Sequence, residues 1–329
     1  MTLAIEHWPL DVPFQITGYT FTNLEVLVVS VSDGVQVGRG EAAGVYYLND
    51  RPAGMIGQVE AVRTAIEAGV DRQALRRLLP PGGARNAIDC ALWDLEAKQS
   101  RRPVWDLAGF DAPRSLLTTY TIGAGAPATM AERALAFADA RALKLKLTGE
   151  PVDAERVAAV RAARPDAWLG VDANQGFTPD TLADLLPVLL RAEVKLLEQP
   201  FALDQDALLD GLSSPIPIAA DESVQGLDDI AGLAGRVQVI NIKLDKCGGL
   251  TEGLAMAAEA KRLGLQVMVG NMLGTGLAMA PAFVLGQLCD VVDLDGPLLL
   301  SADRTPAADY VDGRLTCPPE LWGAPVVLA

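Results

Sequence analysis

Eight short apolar or β-branched runs recur along the last two thirds of the chain, at 118–122, 143–147, 168–172, 194–198, 216–221, 237–243, 265–269 and 290–295. They start roughly 25 residues apart, with Ala/Leu/Arg-rich stretches of helical character between them, which is the period of a βα unit in a parallel barrel. The pattern predicts an α/β chain whose residues 113–299 close into an eight-stranded barrel. The second run, Leu143-Lys144-Leu145-Lys146-Leu147, is the most unusual. In a strand its lysines share one face and its leucines the other. Two ammonium groups facing inward are costly unless a neighbour uses them. Taken alone, the run also reads as an exposed edge strand that blocks aggregation.

Residues 1–112 have a different character and read as an α+β domain. Phe21 to Ser32 is a strand candidate that ends at Asp33-Gly34 and resumes in Val35 to Gly38, a hairpin pattern. Gly44 to Gly54 reads as loop. Helical periodicity follows in Gln58 to Glu67 and in Ala84 to Lys98, where Ala87, Ile88, Ala91, Leu92 and Leu95 mark one face. The segment from about 300 to 329, with Pro306, Pro318, Pro319 and Pro325, is expected to return over this first domain and complete it.

Charge and composition narrow the partners. A formal net charge of −15 with no basic stripe repels nucleic acid and anionic membrane, leaving a small molecule as the expected partner. No apolar run is long enough to span a bilayer, and Met1 to Leu10 lacks the order of a signal peptide, so a soluble cytoplasmic protein is expected. Cys90, Cys247, Cys289 and Cys317 lie far apart and suggest neither disulfide framework nor zinc knuckle. The single histidine, His7, stands near the N-terminus and removes histidine chemistry from the barrel. Proton transfer must therefore rest on Lys, Asp, Glu, Tyr or Cys. A homo-oligomer is compatible with this pattern, although no stretch marks an interface.

In a parallel barrel the active site lies at the C-terminal strand ends, so the last polar residue of each run is informative. These are Lys144 and Lys146, Asp172, Glu198, Asp221, Lys243, and Asp293 with Asp295. Each acid alone reads as a helix N-cap or a solvated loop residue. Three on consecutive strands, flanked by lysines, are harder to read that way. Asp172, Glu198 and Asp221 are hard oxygen ligands suited to Mg²⁺. A substrate carboxylate bound there has its α-hydrogen acidified, because the enediolate left by the proton is stabilised. Lys146 and Lys243, on opposite sides of the barrel axis, face the two sides of one α-carbon, and Lys144 is the cation that tunes its neighbour.

At this point the chain resembles the enolase superfamily, muconate-lactonising subgroup, over nearly its whole length. The motifs are Ala84-Arg85-Asn86-Ala87-Ile88-Asp89-Cys90-Ala91-Leu92-Trp93-Asp94, Lys144-x-Lys146, Val171-Asp172-Ala173-Asn174, Glu198-Gln199-Pro200, Ala220-Asp221-Glu222-Ser223 and the run Asn241 to Gly249. The resemblance implies a (β/α)7β modified TIM barrel under an α+β capping domain, one Mg²⁺ on the three carboxylates, and two-lysine proton transfer of the kind known for this superfamily. Asp293-Leu294-Asp295 resembles the pair with which dipeptide epimerases hold a substrate α-ammonium. The alternative is that the pair merely caps the last strand.

One departure concerns the substrate. L-Ala-D/L-Glu epimerases of this type carry an arginine where this chain has Phe21, and stretch 14–25 contains no Arg or Lys. An apolar residue cannot clamp a carboxylate, so an apolar or uncharged second residue is expected over glutamate. Tyr19, Phe21, Tyr46 and Tyr47 are the candidate pocket residues. The loop Gly270 to Gly276 lacks a glutamate that many relatives place near its end. The leading expectation is a Mg²⁺-dependent dipeptide epimerase acting on the α-carbon of the C-terminal residue. Rival expectations are an o-succinylbenzoate synthase, N-succinylamino acid racemase or muconate cycloisomerase on the same core, and a catalytically silent amino-acid sensor.

Overall fold

The computed structural model describes residues 1–212 and 214–325. The first three strands, β1 (Thr2–Ile16), β2 (Tyr19–Ser32) and β3 (Val37–Ala42), form an antiparallel sheet in sequential order. The β2–β3 hairpin turns at Asp33-Gly34, where the Asp33 carboxylate accepts the amides of Val35 and Gln36. That hairpin was legible in the alternation of the sequence. The long β1 was not, because Pro9 and Pro13 interrupt it and its register with β2 shifts between Pro9 and Phe14.

Three helices follow: α1 (Pro52–Glu67), α2 (Arg72–Leu78) and α3 (Gly83–Ser100). The expected loop from Gly44 to Gly54 is thus shorter than the sequence suggests, since Pro52 sits in the first turn of α1 and pre-sets its φ. Helix α3 is buried on two sides. Ala84, Ala87, Ile88, Ala91 and Leu95 join one core with β2 and α1, whereas Cys90, Trp93 and Ala97 join the other, larger core. β3 lies so close to it that a Cβ on Gly40 would stand 2.1 Å from the Ala87 carbonyl oxygen, and one on Gly38 2.1 Å from that of Ala91.

After the short α4 (Val104–Leu107) and β4 (Leu116–Leu117), eight parallel strands run in sequential order: β5 (Thr119–Ile122), β6 (Ala142–Lys146), β7 (Trp168–Asp172), β8 (Leu196–Glu198), β9 (Ile218–Ala220), β10 (Val239–Lys243), β11 (Gln266–Gly270) and β12 (Val291–Val292). Between them lie α5 (Pro127–Ala136), α6 (Asp153–Ala163), α7 (Pro179–Arg191), α8 (Ile230–Leu233), α9 (Leu244–Cys247), α10 (Leu250–Arg262) and α11 (Gly276–Gly286). Every residue of β6 and β10 is buried, as expected of a sheet covered on both faces. The ring closes through side chains: Leu294 donates its amide to the Thr118 hydroxyl, and the Thr121 amide donates to Asp295 Oδ2.

The chain then forms β13 (Asp309–Val311) and β14 (Arg314–Thr316), an antiparallel pair whose β14 also pairs with β4. Further on, the Trp322 indole donates to the backbone oxygens of Arg39 and Cys90, and the Gly323 amide donates to Asp94. The final residues of the expected tail, 326–329, lie outside the described residues. No helix of the described residues is long and apolar enough to cross a membrane.

Candidate active site

The strand register brings the expected residues to one level. Lys146 pairs with Asp172, and Asp172 with Glu198, across β6, β7 and β8. In β6 and the residue after it, the two lysines face the barrel axis, while Leu143, Leu145 and Leu147 share the main hydrophobic core with Met130, Val157 and Val160. β6 lies between β5 and β7, so it is no edge strand, and its lysines find partners inside.

Those partners are the carboxylates. Lys144 Nζ lies 2.8 Å from Glu198 Oε2, 2.8 Å from Asp293 Oδ2 and 3.2 Å from Asp172 Oδ2. Lys146 Nζ lies 2.6 Å from Asp172 Oδ2, and Lys243 Nζ 2.7 Å from Asp221 Oδ2. Asp221 has a second cation, Lys246 on α9, which also donates to its backbone oxygen. Lys246 stood in the sequence motif without a role. Its position three residues beyond Lys243, on the first turn after the strand, is the signal that could have found it.

Neighbours fix the carboxylates in place. Asn241 Nδ2 donates to Glu198 Oε1 at 2.9 Å, and the Asn174 amide donates to Asp172 Oδ1 at 2.8 Å. Gln199 Oε1 accepts the amides of Asp221 and Ser223, so β8 orients the end of β9. Asn174, Gln175 and Gln199 all have positive φ, a conformation that non-glycine residues adopt sparingly and that concentrates at functional sites.

The electrostatics carry an imbalance. Burial and the charge of Asp172 push Glu198 up to about 8, and burial with the charge of Asp221 pushes Glu222 to about 7. Burial would raise Asp172 as well, but Lys146 and Lys144 outweigh it and hold it at about 2. Asp221 is held low by Lys243 and Lys246 against the same penalty. Lys144 and Lys243, despite burial, are held above the ordinary lysine range, chiefly by Asp293 and Asp221 respectively.

One oxygen of each of Asp172, Glu198 and Asp221 lies within 4.8 Å of the others, in fully buried surroundings. Glu198 Oε2 accepts no hydrogen bond from the described residues; Lys144 is close enough for an ion pair but is not aligned to donate. Glu222 Oε2 and Asn241 Oδ1 are likewise buried without a donor among the described residues. Converging hard oxygens, an acceptor lacking a donor and carboxyls pushed up by burial and by neighbouring negative charge together fit an oxygen-loving divalent cation.

The other expected residues surround this centre. Asp293 and Asp295 line the same cavity: both Asp293 oxygens are engaged, by Lys144 and the Thr119 hydroxyl, whereas Asp295 accepts the Thr121 amide at 2.6 Å on Oδ2 alone. The pair thus lines the pocket and also staples the last strand to the first. Phe21 lines the cavity with Phe14, Ile16, Tyr46 and Tyr47. Tyr19 stands one ring back, 4.5 Å from Phe21 and 5.0 Å from Tyr46 between ring centroids, backing the wall. No arginine among the described residues lines this cavity.

A parallel barrel whose strand ends hold a buried carboxylate triad between lysines defines the enolase class of barrel. Residues 1–109 match the mandelate racemase / muconate lactonizing enzyme N-terminal domain, and residues 128–321 match the enolase C-terminal domain-like family. The chain therefore belongs to the mandelate racemase/muconate lactonizing enzyme family of the enolase superfamily.

It is 39% identical over 312 residues to the L-Ala-D/L-Glu epimerase of Escherichia coli (strain K12), covering 94% of this chain and 97% of that one. It is 41% identical over 249 residues to the N-acetyl-D-glutamate racemase of a Pseudoalteromonas species, covering 74% and 78%. Among solved structures, an enolase family member from Agrobacterium tumefaciens with homology to dipeptide epimerases, with bound sodium and L-Ala-L-Glu, superposes with a TM-score of 0.95 at 42% identity. That match covers 98% of this chain and 99% of the other.

Proposed function

We propose that the protein is a Mg²⁺-dependent dipeptide epimerase that inverts the α-carbon of the C-terminal residue by 1,1-proton transfer. The observation that carries this reading is the opposition of Lys146 and Lys243. They stand on β6 and β10, half-way round an eight-stranded ring from each other, each paired with a different member of the carboxylate triad. An enzyme that removes a proton from one face and returns it to the other needs a base on each.

The residues divide the work as follows. Asp172, Glu198 and Asp221 would hold the Mg²⁺. Bound there, the ion supplies positive charge that stabilises the substrate carboxylate as the α-proton leaves. Lys146 takes or gives the proton on one face and Lys243 on the other. Lys144 orients Asp293 and keeps a positive charge beside Lys146. Asp293 and Asp295 receive the dipeptide α-ammonium. The aromatic wall of Phe21, Tyr46 and Tyr47, backed by Tyr19, meets the second side chain and favours an apolar or uncharged residue. In this reading residues 1–112, with the tail from about 300, cap the barrel formed by 113–299.

The test is incubation of L-Ala-L-Leu and L-Ala-L-Glu with enzyme and Mg²⁺ in D₂O, followed by mass and NMR analysis. Deuterium should appear at the second α-carbon with inversion, faster for L-Ala-L-Leu. Faster turnover of L-Ala-L-Glu would overturn the side-chain preference, and no exchange in either would overturn the epimerase reading.

A second reading is racemisation of an N-acylamino acid. It is favoured by the engagement of both Asp293 oxygens with Lys144 and Thr119, because an N-acyl substrate brings no ammonium for that carboxylate to receive. The relationship to the N-acetyl-D-glutamate racemase supports it too. Racemisation of N-acetyl-glutamate with both dipeptides inert would select it.

A further inference from the structure

The segment 41–47 runs from the end of β3 across the mouth of the barrel, and three contacts from three successive strand ends hold it. At its start, the buried Glu41 carboxylate accepts from the Thr275 amide at 2.8 Å, beyond β11, and pairs with Arg304. At its end, the Tyr47 hydroxyl accepts from Gln225 Nε2 at 3.1 Å, beyond β9, and the same nitrogen donates to the Glu222 carbonyl. Between them, Asp245 Oδ1 accepts the Gly44 amide at 2.8 Å. Asp245 follows Lys243 by two residues, on α9 at the end of β10.

The middle tether stands out for three reasons. Asp245 is 5% exposed, and its carboxylate makes no ion pair among the described residues. A buried carboxylate without a cation is costly, so its retention needs a reason. Its partner is held to one path: Gly44 has φ +78°, and a Cβ there would lie 2.1 Å from Met55 Cε and 2.3 Å from the Asp50 carbonyl oxygen. Directly after it, Tyr46 and Tyr47 line the same cavity as Lys243, with their rings edge to face at 5.2 Å.

We propose that Asp245 is a positioning residue: it fixes the capping segment at Gly44, so that Tyr46 and Tyr47 form a wall of set position beside Lys243 and thereby select the side chain of the substrate's second residue. The strand end that carries one proposed base thus also carries the anchor of the substrate-facing wall. This rests on the epimerase reading for its substrate, and on geometry alone for the tether. Losing the carboxylate frees the wall and leaves both lysines and all three triad carboxylates in place, so its effect falls on recognition.

The test compares Asp245→Ala and Asp245→Asn with the wild-type enzyme on L-Ala-L-Ala, L-Ala-L-Leu and L-Ala-L-Glu, with hydrogen exchange followed in peptides spanning residues 43–50. In Asp245→Ala, KM for L-Ala-L-Leu and L-Ala-L-Glu should rise about tenfold, the scale of one lost hydrogen bond to a charged group. The KM for L-Ala-L-Ala and all kcat values should stay within about twofold, a change too small to signal a lost acid-base group. Exchange at 43–50 should accelerate. Asp245→Asn keeps an acceptor oxygen and should restore both KM and protection. Unchanged protection in Asp245→Ala overturns the tether. A uniform fall in kcat across the three substrates, or unchanged KM with accelerated exchange, overturns the role in selection. If the wild-type enzyme turns over none of the three, the epimerase reading fails and the exchange data still decide the tether.

Discussion

At the scale of single residues, the proposed lysines make the sharpest demand. If Lys146 and Lys243 each serve one face, their removal should be asymmetric. Lys146→Ala and Lys243→Ala should each lower epimerisation by roughly 10²–10⁴-fold, the range of a lost acid-base group. Each variant should also still wash deuterium into one epimer and not the other. Equal residual exchange of both epimers in either variant would refute the assignment. Most of these groups were legible before the structure because each ends a strand run. Lys246, Asn241 and Gln199 were not assigned roles, because their work is to pair with or orient the carboxylates, which depends on side-chain direction. A buried acid away from the site offers a different test. Asp89 on α3 accepts the Thr251 amide, and burial raises its carboxyl from 3.8 to about 6. Below about pH 4 it is protonated folded and unfolded, and contributes nothing. Between about 4 and 6 only the unfolded chain ionises, so the stability of the fold falls as pH rises, by about 3 kcal/mol in all. Asp89→Asn removes that loss, so the midpoint of thermal unfolding of the variant, relative to wild type, should climb from pH 4 to pH 7. A difference independent of pH would refute it.

At the scale of elements, the barrel strands were readable and the cap was readable only in part. Strands β6, β7 and β10 have five residues each, buried nearly throughout, and their apolar runs stand out from the helices around them. β12 reduces to Val291–Val292, because the Asp293 side chain turns to Lys144 and Thr119 and the Asp295 carboxylate takes the Thr121 amide. Side chains there do what a backbone ladder does elsewhere. Helix α2 escaped the sequence reading since only Leu75 of its seven residues is buried, leaving no apolar stripe to detect. The alternation Val37 to Ala42 owes its glycines to α3, whose backbone occupies the space a side chain would need. Gly40→Ala would drive a Cβ to within 2.1 Å of the Ala87 oxygen, so helix and strand must separate. The cost should be at least the 1–3 kcal/mol typical of overpacking, read as a lower midpoint in urea. A variant as stable as the parent would show that the sheet and α3 can part freely.

At the scale of the whole molecule, charge links folding to the site. The chain carries a net −15, and its barrel mouth gathers Asp172, Glu198, Asp221, Glu222, Asp293 and Asp295 around Lys144, Lys146, Lys243 and Lys246. The excess of carboxylates over ammoniums means that the folded state concentrates repulsion the unfolded chain disperses, and a divalent cation bound at the triad relieves it. Such a cation binds the folded state in preference, so it must stabilise by mass action: about 2.7 kcal/mol at a free concentration 100 times Kd. Thermal unfolding of the wild-type protein should therefore shift upward with MgCl₂ and back with EDTA. Tetramethylammonium chloride at matched ionic strength, whose bulky cation only screens, should give a smaller shift. Asp221→Asn starts from a lower midpoint because Lys243 and Lys246 lose their counter-charge, so the informative quantity is its increment with Mg²⁺, which should nearly vanish. If that increment equals the wild-type one, the ion acts elsewhere on an acidic surface and the triad is not its site. If it vanishes while Asp293→Asn retains it, the ion is placed at β7 to β9, opposite the last strand, as inversion between Lys146 and Lys243 requires.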